Sequence, residues 1–146
     1  MGVINKRDIR FIQIAKEMSK CSTYKRVNIG CCIVWKNEVL SVGCNQNKTR
    51  PLQKRFNVFR EFENPEHIID KQHAEIDAIS KLPYFIHENN FNMSKATIYV
   101  YRENKSTHDP ALALPCPACM AALKESSIGR IVYTVDDGIV EMKLSS

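Results

Sequence analysis

The chain has 146 residues, 44% of them hydrophobic and 25% charged, a balance that suits one soluble domain over residues 1–146 built on one core. No window approaches the roughly 18 consecutive apolar residues of a membrane span, and the opening residues lack the apolar run and cleavage site of a secretory signal, so a cytoplasmic protein is expected. The formal net charge of +5 suits an anionic ligand, nucleotide or nucleic acid, without separating the two.

In chain order, residues 7–20 put Ile9, Ile12 or Phe11, Ala15 and Met18 on one helical stripe. Residues 27–35 are apolar on both faces, as in a strand covered by helices. Lys36-Asn37-Glu38 then turns the chain into a hairpin partner at 39–44. Residues 46–72 are polar, basic and aromatic, and predict a long connection with one helical turn. A helix is expected from His73 to about Leu82, ended by Pro83, and a strand at 96–102. A loop at 103–114 leads to a helix at 117–126, opened by Pro117 at a position that proline favours. Residues 130–135 form the next strand, and Asp136-Asp137-Gly138 turns it into an antiparallel one at 139–144. The predicted class is α/β: five strands in a mixed sheet flanked by helices, with strand five antiparallel.

Six cysteines could pair, but in a cytosolic chain they are better read as core residues or metal ligands. Cys31, Cys32 and Cys44 lie in apolar runs and read as small core hydrophobes. Cys116 and Cys119 stand three apart at a helix start, so both sulfurs can face one point, and the unpaired N–H groups there favour thiolates. His73 opens the other helix and can supply a third ligand. Imidazole and thiolate are the preferred ligands of zinc, and three protein ligands leave a position for water, the arrangement of a catalytic site. Zinc lowers the pKa of such a water to about 7. Glu75 is then placed to take its proton and deliver it to a ring nitrogen and a departing amine. A structural zinc would want a fourth protein ligand, for which Cys44 and His67 are candidates outside any paired motif.

His73-Ala74-Glu75 with Pro115-Cys116-Pro117-Ala118-Cys119 resembles the signature of zinc-dependent nucleobase deaminases. The chain is similar over nearly its whole length to the cytidine deaminase-like superfamily, which includes cytidine, deoxycytidylate, tRNA adenosine and nucleic-acid cytosine deaminases. Its element order fits that superfamily's five-stranded sheet, and Gly43-Cys44-Asn45 looks like its Gly-x-Asn corner. The resemblance implies zinc on His73, Cys116 and Cys119, and proton transfer by Glu75. It further implies that Asn45 hydrogen-bonds the sugar or ring, and that the Ala74 backbone helps to hold the base. A homo-oligomer is implied as well.

Two cues point to different branches of the superfamily. The short turn before the last strand resembles free cytidine and blasticidin-type deaminases, since a parallel crossover would need a dozen residues or more. The insert at 46–72 resembles the nucleotide enzymes. Within it, 47–60 interleaves five cations with Phe56 and Phe59. Arg50, Lys54 and Arg55 could clamp a monophosphate, or track a single-stranded backbone, while the aromatics stack on bases or pack down as anchors. The expected reaction is deamination of a cytosine nucleotide or nucleoside (dCMP, CMP, cytidine or deoxycytidine) to its uracil product. The alternative is a cytosine or adenine deaminase acting on single-stranded DNA or RNA. A non-catalytic zinc module is the third reading, against which Glu75 stands. Trp35 and Tyr101 are expected in the core, and His67, His87 and His108 at the surface, with the loop before Cys116 covering the substrate.

Overall fold

The computed structural model describes residues 4–24, 27–47, 51–57, 72–87 and 91–144, side chains excepted at Lys54 and His87. The first helix, α1 (Lys6–Ser19), starts at a capping box. Asn5 Oδ1 accepts from the Asp8 N–H at 2.9 Å, and Asp8 Oδ2 accepts from the Asn5 N–H at 3.1 Å. Asp8, Phe11, Ile12, Ala15 and Ser19 form its buried stripe. Ile9, expected on that stripe, is 51% exposed instead. A residue one position from Asp8 lies about 100° around the helix, and the fold turns Asp8 inward.

Strands β1 (Val27–Trp35) and β2 (Glu38–Cys44) form a hairpin whose turn residues Lys36 and Asn37 both have positive φ, 48° and 69°. That is the turn whose twist matches paired strands. A short helix, α2 (Pro51–Phe56), is the predicted helical turn of the insert. Beyond it come α3 (Ala74–Ser80), β3 (Ala96–Asn104), α4 (Pro117–Glu125), β4 (Arg130–Val135) and β5 (Gly138–Lys143). Strand β3 runs two residues past its expected end because its last residues still pair with the start of β1. Two 3-10 turns, at Tyr84–His87 and Met93–Lys95, lie in the connection before it and carry no strong periodic signal.

The sheet order is β2-β1-β3-β4-β5, with β3 and β4 parallel and the other neighbours antiparallel. The antiparallel final hairpin agrees with the short Asp136-Asp137 turn. Helices cover β1 on both faces, which explains its unbroken apolar run. Cys31 and Ile33 pack with Ala74 and Ala78 of α3, while Cys32 and Val34 pack with Phe11 and Ala15 of α1. Cys31, Cys32 and Cys44 are all buried, as expected of core cysteines. Two glycines set how closely the helices approach. A Cβ at Gly30 would stand 2.1 Å from the Ala15 carbonyl of α1, and one at Gly43 would stand 2.4 Å from the Ala74 carbonyl of α3. Among the described residues no helix is long and apolar enough to cross a membrane.

Candidate metal centre and active site

The two expected ligand segments start two helices, and each start is unusual in the same way. His73 is the N-cap of α3 and Cys116 the N-cap of α4, yet neither side chain caps its own helix. Both turn towards each other. His73 Nδ1 lies 3.2 Å from Cys119 Sγ and 3.4 Å from Cys116 Sγ, and the three donor atoms fall within 4.8 Å of one another. Ligand atoms on a tetrahedral zinc stand about 3.6 Å apart, given bonds of about 2.0–2.3 Å. The donor set and its spacing therefore fit zinc, with three protein ligands. Cys44 is no part of the cluster: its sulfur lies 4.0 Å from Gln46 Nε2. His67, the other candidate for a fourth ligand, lies outside the described residues.

The thiols are electrostatically unequal. The hydrogen bond from Cys119, helped by His73, brings Cys116 down to about 4 although burial opposes it. Burial pushes Cys119 well up. Glu75, in the first turn of α3, is 5% exposed, and burial raises its carboxyl above the usual range.

Several bonds hold this geometry. The Ala74 carbonyl accepts from Cys31 Sγ at 3.0 Å and the Ala78 carbonyl from Ser41 Oγ at 2.8 Å. Buried Asp77 accepts the Cys44 N–H at 3.2 Å and pairs with Lys81 at 3.0 Å. The long insert is pinned at its base, where Gln46 and Gln72 exchange backbone hydrogen bonds of 2.9 and 3.0 Å. Inside it, Gln53 of α2 is fully buried and its Oε1 accepts the His73 N–H at 2.9 Å. Sequence reasoning passed over Gln53 and Asp77; a polar residue on the apolar side of a short helix was the available signal.

Glu75, His73, Cys116 and Asn45 line one cavity of about 120 Å³, with Ile29, Val100 and Ala113 as apolar walls. That is far below the roughly 300–1,000 Å³ of a site that engulfs a drug-sized ligand, and close to the cavity size that takes a single six-membered ring. Asn45 is fixed in the wall: its Nδ2 donates to the Val27 carbonyl and its Oδ1 accepts the Ile29 N–H, both at 3.0 Å. Ala74 is fully buried behind the ligands.

Of the expected cations, Arg55 pairs with Glu125 at 2.8 Å at the surface and does not line the cavity. Arg50 and the Lys54 side chain lie outside the described residues. Phe56 is buried against Ile76, Ala118 and Cys119, so it anchors the insert beneath the metal ligands. The loop before Cys116 does reach the cavity, through Ala113 and Leu114. Its His108 points away, 74% exposed and 2.9 Å from Glu103. Tyr101 is buried, and Trp35 stacks on Phe91 at 4.4 Å; neither lines the cavity. Arg102 does, and the sequence had not singled it out.

A family model, the cytidine and deoxycytidylate deaminase zinc-binding region, matches residues 5–135. No curated protein matches the chain. Solved structures share its fold at low identity. The dCMP deaminase of cyanophage S-TIM5 in apo form is 17% identical with a TM-score of 0.56, over 92% of this chain and 87% of that one. The same phage enzyme in complex with dCMP and dUMP is 18% identical, with a TM-score of 0.56 over 90% and 83% of the two chains. Cytidine deaminase from Burkholderia pseudomallei is 15% identical with a TM-score of 0.57, over 96% and 93%. Guanine deaminase from Bacillus subtilis is 18% identical with a TM-score of 0.51, over 90% and 65%.

Proposed function

We propose, from the premise that this chain belongs to the cytidine and deoxycytidylate deaminase zinc-binding family, that it hydrolyses the exocyclic amine of a cytosine nucleotide or nucleoside. The observation that carries this reading is a His-Cys-Cys donor set and a buried carboxylate opening on one ring-sized cavity. His73, Cys116 and Cys119 would hold zinc, which would lower the pKa of a water there to about 7. Glu75 takes a proton from water and passes it to the ring nitrogen and then to the departing amine, so that water and the C–NH2 group become a carbonyl and ammonia. Ile29, Val100 and Ala113 offer apolar faces to the planar ring, and the Ala74 backbone and the Asn45 amide hold its polar edge and sugar. The phage enzyme's complex with dCMP and dUMP supports a small-molecule substrate. The guanine deaminase likeness makes base choice the part to test.

The zinc-loaded protein is incubated with cytidine, deoxycytidine, CMP, dCMP and a cytosine-containing DNA oligonucleotide, following ammonia and uracil. Turnover of the small molecules, abolished in Glu75→Ala while zinc content is unchanged, is the expected result. Activity that survives Glu75→Ala would refute the mechanism. Turnover of the oligonucleotide alone would make the chain a nucleic-acid deaminase, and activity on adenine or guanine alone would replace the base.

A further inference from the structure

Among the described residues Arg102 is the one Lys or Arg on the cavity wall, and its charge is unanswered. It is half-buried, and its Nε is buried with no hydrogen-bond acceptor among the described residues. No ion pair reaches its guanidinium from the described acidic side chains. The adjacent Glu103 points to the other face of the strand, where it holds His108. A buried guanidinium N–H without an acceptor is costly. The backbone nevertheless holds it firmly in place: its N–H donates to Thr134 Oγ1 at 3.2 Å and its carbonyl accepts from Ala111 at 2.9 Å.

Strand register fixes where this charge stands. Cys31 pairs with Val100 and with Gly43, and Cys31 and Gly43 both touch the Ala74 carbonyl. Val100 therefore marks the end of the cavity beside His73 and Glu75. Arg102 is two residues on, facing the same side about 7 Å further along β3, opposite Ile29. Asn45 bonds the Ile29 N–H, so Asn45 and Arg102 share the outer level. The cavity of about 120 Å³ matches a ring, and what the ring carries emerges at that outer level.

We infer that Arg102 binds a phosphate carried on the sugar of the base, so that the substrate is a nucleoside monophosphate rather than a nucleoside. A guanidinium offers a planar pair of donors that matches phosphate oxygens, and the anion removes the cost of the unpaired charge. A neutral nucleoside would leave that charge as it is. The inference rests on the deaminase reading of the cavity, but not on cytosine as the base.

The test measures binding on the zinc-loaded full chain in the Glu75→Ala background, where turnover does not interfere. Calorimetry compares each monophosphate with its own nucleoside: dCMP with deoxycytidine, dAMP with deoxyadenosine, dGMP with deoxyguanosine. Arg102→Gln is expected to shrink the monophosphate-to-nucleoside affinity ratio by about 10- to 100-fold, the worth of charged hydrogen bonds to one phosphate. Arg102→Lys, which keeps the charge but not the fork, should lose less. An unchanged ratio overturns the inference, as does equal weakening of nucleoside and monophosphate, which would mark a structural role. If only the guanine or adenine pair binds and its ratio still collapses, Arg102 stands and cytosine falls. If a cytosine oligonucleotide outcompetes dCMP and depends on Arg102, the monophosphate is the wrong phosphate source.

Discussion

His73 is held by its own backbone, through the Gln53 side chain that accepts its N–H. Replacing Gln53 with Leu keeps the volume but removes this acceptor from the His73 N–H and leaves the imidazole less firmly aimed. Groups that orient ligands in this way are worth about 10–100-fold in metal affinity. Gln53→Leu is expected to weaken zinc binding by about tenfold, read by competition with a chromophoric chelator, with the far-ultraviolet circular dichroism retained. Unchanged zinc affinity would mean that the ligand geometry is self-sufficient. At this scale the sequence was legible where chemistry demands particular residue types at a particular spacing. His73, Glu75, Cys116 and Cys119 are such residues, and the first, third and fourth of them meet as expected. Gln53 was marked only by its place on the apolar side of a short helix, and its burial is seen only in the fold.

Between elements, the position of α3 depends on the absence of a side chain at Gly43. An added methyl group would meet the Ala74 carbonyl at 2.4 Å and the Ala78 N–H nitrogen at 2.6 Å, both backbone atoms that cannot swing aside. Gly43→Ala should therefore cost about 2–3 kcal/mol, at the upper end for an overpacked core. It should weaken zinc binding too, because α3 carries His73. Gly138→Ala makes the control: nothing lies within 4 Å of its added carbon, so the change should stay within about 0.5 kcal/mol. Urea denaturation of both variants checks the contrast, and a small effect at Gly43 would show that α3 can slide on the sheet. The stripe of α1 departs from expectation at Ile9 for a related reason, while Phe11, Ile12 and Ala15 lie on it as expected. Hydrophobic periodicity prefers Ile9 to Asp8, and only the presence of a buried partner for a carboxylate reverses that order.

At the scale of the whole molecule, that partner is Arg130, which ties the start of the chain to its end. Its guanidinium donates to both Asp8 carboxylate oxygens at 2.8 Å and to Glu141 at 2.7 Å, while the Tyr99 hydroxyl donates to Asp8 at 2.7 Å. The network joins α1, β3, β4 and β5. Burial alone would raise the Asp8 carboxyl, but Arg130, Tyr99 and Asn5 outweigh it and hold its pKa at about 2, below the ordinary 3.8. A carboxyl lowered in the folded state stabilises the fold above its unfolded value and loses that contribution as pH falls towards the folded one. A shift of nearly two units is worth about 2 kcal/mol, given up between about pH 4 and pH 2. Asp8→Asn should be less stable at pH 7 and should show a flatter acid dependence over that window, measured by chemical denaturation at a series of pH values. An identical slope in the two proteins would exclude Asp8 as the titrating group.

By itself the sequence determined the order of elements and the antiparallel ending, and it picked out the His-Cys-Cys set that the fold brings together. Each of these rests on local facts: period, turn chemistry, and residue types three apart at a helix start. The tertiary structure alone decided that Asp8 faces inward, that Arg102 rather than Arg55 reaches the cavity, and that the cavity has about the volume of a ring. These depend on which side chains of distant segments meet, and Asp8 and Arg130 stand 122 residues apart in the chain. Charge pairing and cavity shape come from such meetings, and no local pattern records them.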